Sequence, residues 1–190
     1  MTVENPLLGR GSNPCGPQNQ PPAFGTFCQG DRWCAIGDSI TQMGCYLSYI
    51  YLFYATRFPG HRFDMVNAGA SYSTAAISIE RLNADVLSHQ PTLATIMFGM
   101  CDIWWEHRGR LSLNEYTTSL AVLVDRLRQN DCKIVLLTPT PYDQTHWNDD
   151  TKIDPMFCGL ERYARAVQSL ALQEGLLCID MFRLITGNAR

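Results

Sequence analysis

From Arg32 onward, short apolar runs rich in β-prone residues alternate with longer stretches in which apolar residues recur every three or four positions. The short runs are Trp33–Ile36, Phe63–Asn67, Thr92–Phe98, Lys133–Pro139 and Leu176–Met181. Their length and their turn-forming boundaries predict strands. Between them the three-and-four spacing predicts helices over Cys45–Phe58, Ala75–Leu87, Leu113–Gln129 and Cys158–Glu174. Strands that alternate with helices of this length imply βαβ units and a mainly parallel α/β sheet. Residues 1–30, rich in Pro, Gly, Asn and Gln, show no such periodicity and predict an extended N-terminal lead-in before a domain spanning 31–190.

Local signals fix several helix ends. Ser112 and Glu115 form a capping box, each side chain placed to satisfy a free N–H of the first turn. Leu120, Leu123, Val124 and Leu127 then line one buried face. Gly175 stands where a left-handed C-terminal cap is expected, and Pro59-Gly60 stops the first helix. That first helix is apolar and aromatic nearly all round, which predicts a largely enclosed element.

The run Trp33–Ile36 ends in Gly37-Asp38-Ser39-Ile40-Thr41. A turn there holds the Ser39 hydroxyl at the carboxyl edge of the sheet, where ligands bind in open α/β folds. Two readings follow. Ser39 is a nucleophile, or Asp38, Ser39 and Thr41 only cap the next helix. The loops Gly37–Gly44, Ala68–Thr74, Gly99–Leu111 and Thr140–Asp154 share that edge, and the last two are long and rich in Trp and His, as functional loops often are. Trp104 and Trp105 suit either a platform for an acyl group or sugar, or a lid or interface anchor.

Composition narrows the class. With 190 residues the chain has single-domain length, enough for a core without staples. A net charge of -3, 17% charged residues and no basic stripe exclude a nucleic-acid footprint. None of the eight cysteines stands in a C-x-x-C pair or at zinc-ligand spacing with a histidine, so neither a metal nor a cofactor is expected. Reduced, small buried thiols in an intracellular protein are the expected use of these cysteines. No secretory signal and no membrane-length apolar run is present, which points to a cytoplasmic location. Oligomeric state is left open.

Gly37-Asp38-Ser39-Ile40-Thr41 after the first strand, Val66-Asn67-Ala68-Gly69 after the second and Phe98-Gly99-Met100-Cys101-Asp102 after the third resemble three ordered blocks of the SGNH (GDSL-type) hydrolases. The resemblance runs from about Gly30 to Met181. It implies a three-layer α/β/α sandwich with a flavodoxin-like five-stranded sheet, and an esterase acting on small-molecule acyl esters, often acetyl groups on carbohydrate or lipid acyl chains. It implies Ser39 as the nucleophile, whose own N–H helps hold the oxyanion. A glycine N–H from the second block and an asparagine amide from the third complete the hole in that family. Here Tyr72 stands at the glycine position and Cys101 at the asparagine position, where a thiol is a weak donor. Gly69 lies three residues before Tyr72 and fits the donor position less well. Asp38, Asn67, Gly69 and Asp102 are expected to shape the supporting turns, and Asp180 to do likewise after the last strand.

The family's last block, an Asp-x-x-His beyond the final strand, is matched by no histidine. His61 and His89 stand by helix ends, while His107 and His146 lie on site-edge loops. The expectation from this is a C-terminally truncated hydrolase. A catalytically inactive module that binds sugar or acyl ligands is the alternative, and a reactive Cys101 thiol is a third reading.

Overall fold

The computed structural model of the chain describes residues 27–59, 62–142 and 159–187. Strands β1 (Arg32–Gly37), β2 (Asp64–Gly69), β3 (Leu93–Met97), β4 (Lys133–Leu137) and β5 (Leu177–Ile179) form one parallel sheet in the order β2-β1-β3-β4-β5. The helices are α1 (Ser39–Met43), α2 (Cys45–Arg57), α3 (Ala75–Asp85), α4 (Met100–Glu106), α5 (Leu113–Arg128), α6 (Leu160–Glu174) and α7 (Met181–Gly187). This is the expected flavodoxin-like sandwich.

The strands bury both faces, which accounts for their unbroken apolar runs. Alternate residues sort into different cores, as the two-residue period of a strand requires. Cys34, Ile36, Ala94, Ile96, Ile134 and Leu136 meet Leu82 of α3, the Leu120–Leu127 face of α5 and Val167 of α6. On the other side Trp33 and Ala35 meet Leu47 and Tyr54 of α2, while Met97, Val135 and Leu137 pack near Ile40 and Met181. Phe27 belongs to this second side, its ring stacked on Phe63 at 4.2 Å. The capping box at Ser112–Glu115 and the left-handed Gly175 cap are formed as expected.

Three features differ from the expectations. Helix α2 is not enclosed: Leu47 and Tyr54 are its buried residues, whereas Tyr49 is 74% exposed and Leu52 and Phe53 stand in solvent beside it. A helix laid on one sheet buries one stripe whatever the composition of the rest. Segments expected as loops carry α1 and α4, each too short to display a helical period. The chain after Ile179 forms α7, whose first turn is capped by Asp180: Oδ1 accepts from the Arg183 N–H at 3.0 Å.

The order of the strands places the topological switch between β1 and β3, so the crevice opens at their carboxyl ends, where α1 and α4 begin. Close backbone approach makes that crevice. A Cβ on Gly69 would run into the backbone of Thr41 and Gln42, one on Gly37 into the Thr41 hydroxyl, and one on Gly99 into Pro139. We expect Gly69→Ala to lower the unfolding free energy by about 1–3 kcal/mol through overpacking. Gly187→Ala, which meets open space, should stay within about 0.5 kcal/mol of the parent in the same urea titration; equal stabilities would show that β2 and α1 are not packed this tightly.

Candidate active site

The turn after β1 separates the two readings of its polar cluster. Asp38 is the N-cap of α1, its Oδ1 accepting from the Ile40 N–H at 3.0 Å. Buried Thr41 shares a hydrogen bond of 3.1 Å with the Tyr46 hydroxyl. Ser39 caps nothing. It occupies the first helical position, half-buried, and its hydroxyl has no hydrogen-bond partner among the described residues. Two members of the cluster therefore build the turn, and the third is left available to a ligand.

The second loop is fastened to the first. Asn67 Nδ2 donates to the Thr41 carbonyl at 2.9 Å and the Gln42 carbonyl at 3.2 Å, while its Oδ1 accepts from the Gly69 N–H. Gln42 Oε1 in return accepts from the N–H and hydroxyl of Ser71. The next residue, Tyr72, has φ of +60°, the left-handed conformation that a glycine adopts freely and a side chain disfavours. Its N–H faces the sulfur of Cys101. The position that the family pattern gives to glycine thus keeps the left-handed conformation, although a tyrosine occupies it.

Beneath these loops lies Arg81 of α3, which no sequence feature singles out. Its Nη2 donates to the carbonyls of Ala68 at 2.8 Å and Gly37 at 3.3 Å, and Nη1 pairs with Asp85 at 2.7 Å. One guanidinium therefore ties the carboxyl ends of β1 and β2 together.

The third loop begins at Gly99 and runs into α4. The Cys101 N–H faces the Asp38 carboxylate, linking the first block to the third. Asp102 is fully buried, its Oδ1 accepting from the Ala75 N–H at the start of α3 at 3.0 Å, with Oδ2 unpartnered among the described residues. Burial pushes its carboxyl up to about 7, and the nearby Asp38 adds to the effect. Burial also raises the Asp38 carboxyl, against the N–H groups of Ile40 and Cys101 that favour its charge. The Cys101 thiol is pushed up to about 12 by burial and by both carboxylates. A thiol raised in this way favours the neutral S–H, which counts against the reactive-thiolate reading.

Trp104 and Trp105 stand on α4 rather than on a loop. Their rings meet edge to face at 5.0 Å, with Arg108 stacked 3.5 Å over Trp104 and Arg110 5.0 Å over Trp105. Glu106, the last residue of α4, accepts from Arg162 and from the Tyr163 hydroxyl of α6. His107 follows it in solvent, six residues beyond Cys101 or about 9 Å along a helix. His89 is exposed ahead of β3, at the opposite edge of the sheet from Ser39. His61 and His146 lie outside the described residues. An Asp-x-x-His spacing does occur in the chain, at Asp143 and His146 after β4, and looking only beyond the last strand passes over it.

The thiols also depart from a fully reduced set. Cys34, Cys45, Cys101, Cys132 and Cys178 are free, but Cys28 is disulfide-bonded, its partner outside the described residues. Such bridges persist in oxidising surroundings. Among the described residues no helix is long and apolar enough to cross a membrane.

The chain is similar in sequence and fold to known proteins. The pattern of the GDSL-like Lipase/Acylhydrolase family matches residues 35–190. An acetylxylan esterase of Geobacillus stearothermophilus is 26% identical over 172 residues, which cover 80% of this chain and 76% of the esterase. A solved acetylxylan esterase from that species superposes with a TM-score of 0.69 at 25% identity, over 81% of this chain and 77% of the other. Its solved catalytic mutants include changes at a serine, an aspartate and a histidine three residues after that aspartate. A gut microbial diltiazem-metabolizing enzyme superposes with a TM-score of 0.72 at 27% identity, over 83% of this chain and 38% of its own.

Two measurements check the electrostatics. Between pH 3.8 and about 7 the folded chain holds the Asp102 proton more tightly than the unfolded chain does, so stability should fall as pH rises through that window and level off above it. Asp102→Asn should flatten that part of the slope in urea unfolding at pH 5 and pH 8; an unchanged slope would contradict the buried, proton-holding carboxyl. Maleimide labelling at pH 7 should modify exposed Cys45 while Cys101 stays unlabelled over the same time, as peptide mass mapping would show.

Proposed function

The chain belongs to the GDSL-like lipase/acylhydrolase family, the carboxylic ester hydrolases, and from that premise we propose that Ser39 cleaves acetyl esters of carbohydrate through an acyl-enzyme. One observation carries this reading. Within a turn whose other polar side chains are committed to structure, the Ser39 hydroxyl alone is unspent, and it sits at the crevice mouth. The acetyl group as cargo is supported by the acetylxylan esterase relative.

In this mechanism Ser39 Oγ attacks the ester carbonyl carbon as a base withdraws its proton. The carbonyl oxygen becomes an oxyanion, met by the N–H groups of Ser39 and Tyr72 and by the Cys101 thiol. The intermediate collapses, the alcohol departs with a proton from the base, and water then releases acetate from Ser39 by the reverse sequence. A neutral thiol donates weakly, so the third donor of this hole contributes less than an amide would. Loss of one full donor costs roughly 100- to 1000-fold in rate. The base is sought in an Asp-x-x-His pair, the arrangement of the relative's catalytic aspartate and histidine. Cys101 in the amide's place also favours a second reading, a crevice that binds acylated sugar without turning it over.

Hydrolysis of 4-nitrophenyl acetate and of acetylated xylooligosaccharide should be measurable above background and should vanish in Ser39→Ala. Cys101→Asn is expected to raise kcat about 10-fold or more by restoring an amide donor. His146→Ala and His107→Ala in the same assay test those side chains as the base. Equal rates for the parent chain and Ser39→Ala would remove Ser39 from the mechanism. Binding of the oligosaccharide without turnover would favour the second reading.

A further inference from the structure

Tyr72 is costlier than its backbone duty requires. A glycine would present the same N–H to the crevice and adopt φ of +60° without strain, whereas a β-carbon in that conformation meets the carbonyl that follows it. Packing returns nothing for that strain. The residue is 72% exposed, and among the described residues its ring makes no aromatic contact and its hydroxyl no hydrogen bond. A strained residue that the fold does not reward points to use by a ligand.

The placement narrows which part of the ligand. The Tyr72 N–H faces Cys101, the other residue proposed to meet the oxyanion, while its side chain stands in solvent. Ser71 before it is exposed as well, its N–H and hydroxyl held by Gln42. An alkyl chain calls for an enclosed apolar groove, but this ring is open to water on its faces. A ring with an apolar face and a polar tip matches a sugar, which offers a face of C–H groups and a rim of hydroxyls. We propose that Tyr72 is the specificity-determining residue for the alcohol side of the ester, stacking on a pyranose ring next to the acetylated position and hydrogen-bonding its hydroxyls. This inference rests on the esterase reading for where the sugar lies, while its test does not depend on turnover.

The probe is unacetylated xylotetraose, titrated calorimetrically into the Ser39→Ala chain and into the same chain carrying Tyr72→Phe or Tyr72→Gly. Xylotetraose should bind the Ser39→Ala chain. Tyr72→Phe, which keeps the ring and loses the hydroxyl, should weaken binding about two- to three-fold, and Tyr72→Gly about ten-fold. The glycine variant should melt at or above the temperature of its parent because the strain is gone, which separates lost stacking from misfolding. Equal affinities across the three proteins, or no binding by any of them, would overturn the proposal. Failure of Ser39 to support hydrolysis would overturn the mechanism of the preceding subsection and leave this measurement standing.

Discussion

Two buried carboxylates hold the crevice in shape. Asp38 follows β1, caps α1 through Ile40 and faces the Cys101 N–H at the start of α4. Asp102, one residue further along α4, accepts from Ala75 at the start of α3. The chain of contacts therefore runs from the first loop to the third and from the third to the second. Backbone N–H groups at helix starts have no partner within their own helix, and these acids supply one where water is absent. Both carboxyls are raised by burial, and the charge of Asp38 adds to the rise at Asp102. Below a pH of about 7 a proton on Asp102 relieves the opposition between the two charges.

Around that pair, the polar groups of the strand ends are spent on one another. Arg81 takes the carbonyls of Gly37 and Ala68, and Asn67 takes those of Thr41 and Gln42. Gln42 takes Ser71, and glycine at 37, 69 and 99 allows the backbones to close in. Among the described residues the Ser39 hydroxyl and the exposed ring of Tyr72 stay outside this web.

Much of this was legible in the residues. Alternation of apolar runs with three-and-four spacing located the five strands and four of the helices, and the capping box at Ser112 is a local signal that no tertiary contact overrides. The three blocks located Ser39, Tyr72 and Cys101 at one edge, because a parallel sheet delivers every βα loop to the same side. Other features could not be seen. Helices α1 and α4 are too short for a period to register, and the exposure of α2 depends on what covers it. Arg81 sits in an ordinary amphipathic helix, and only the fold brings its guanidinium under the carbonyls of two strands distant in sequence. The left-handed backbone at Tyr72 belongs to its position in the loop, and the residue itself argues against it.

The most direct measurement of the central claim is covalent trapping of the nucleophile. The chain would be incubated with an alkyl fluorophosphonate at neutral pH, and the modified peptide mapped by mass spectrometry. A hydroxyl set in an oxyanion hole beside a base should give one adduct, on Ser39, and acetylated xylooligosaccharide should slow its formation. An unmodified Ser39, or adducts scattered over other hydroxyls at equal rates, would contradict the assignment of this crevice as an esterase site.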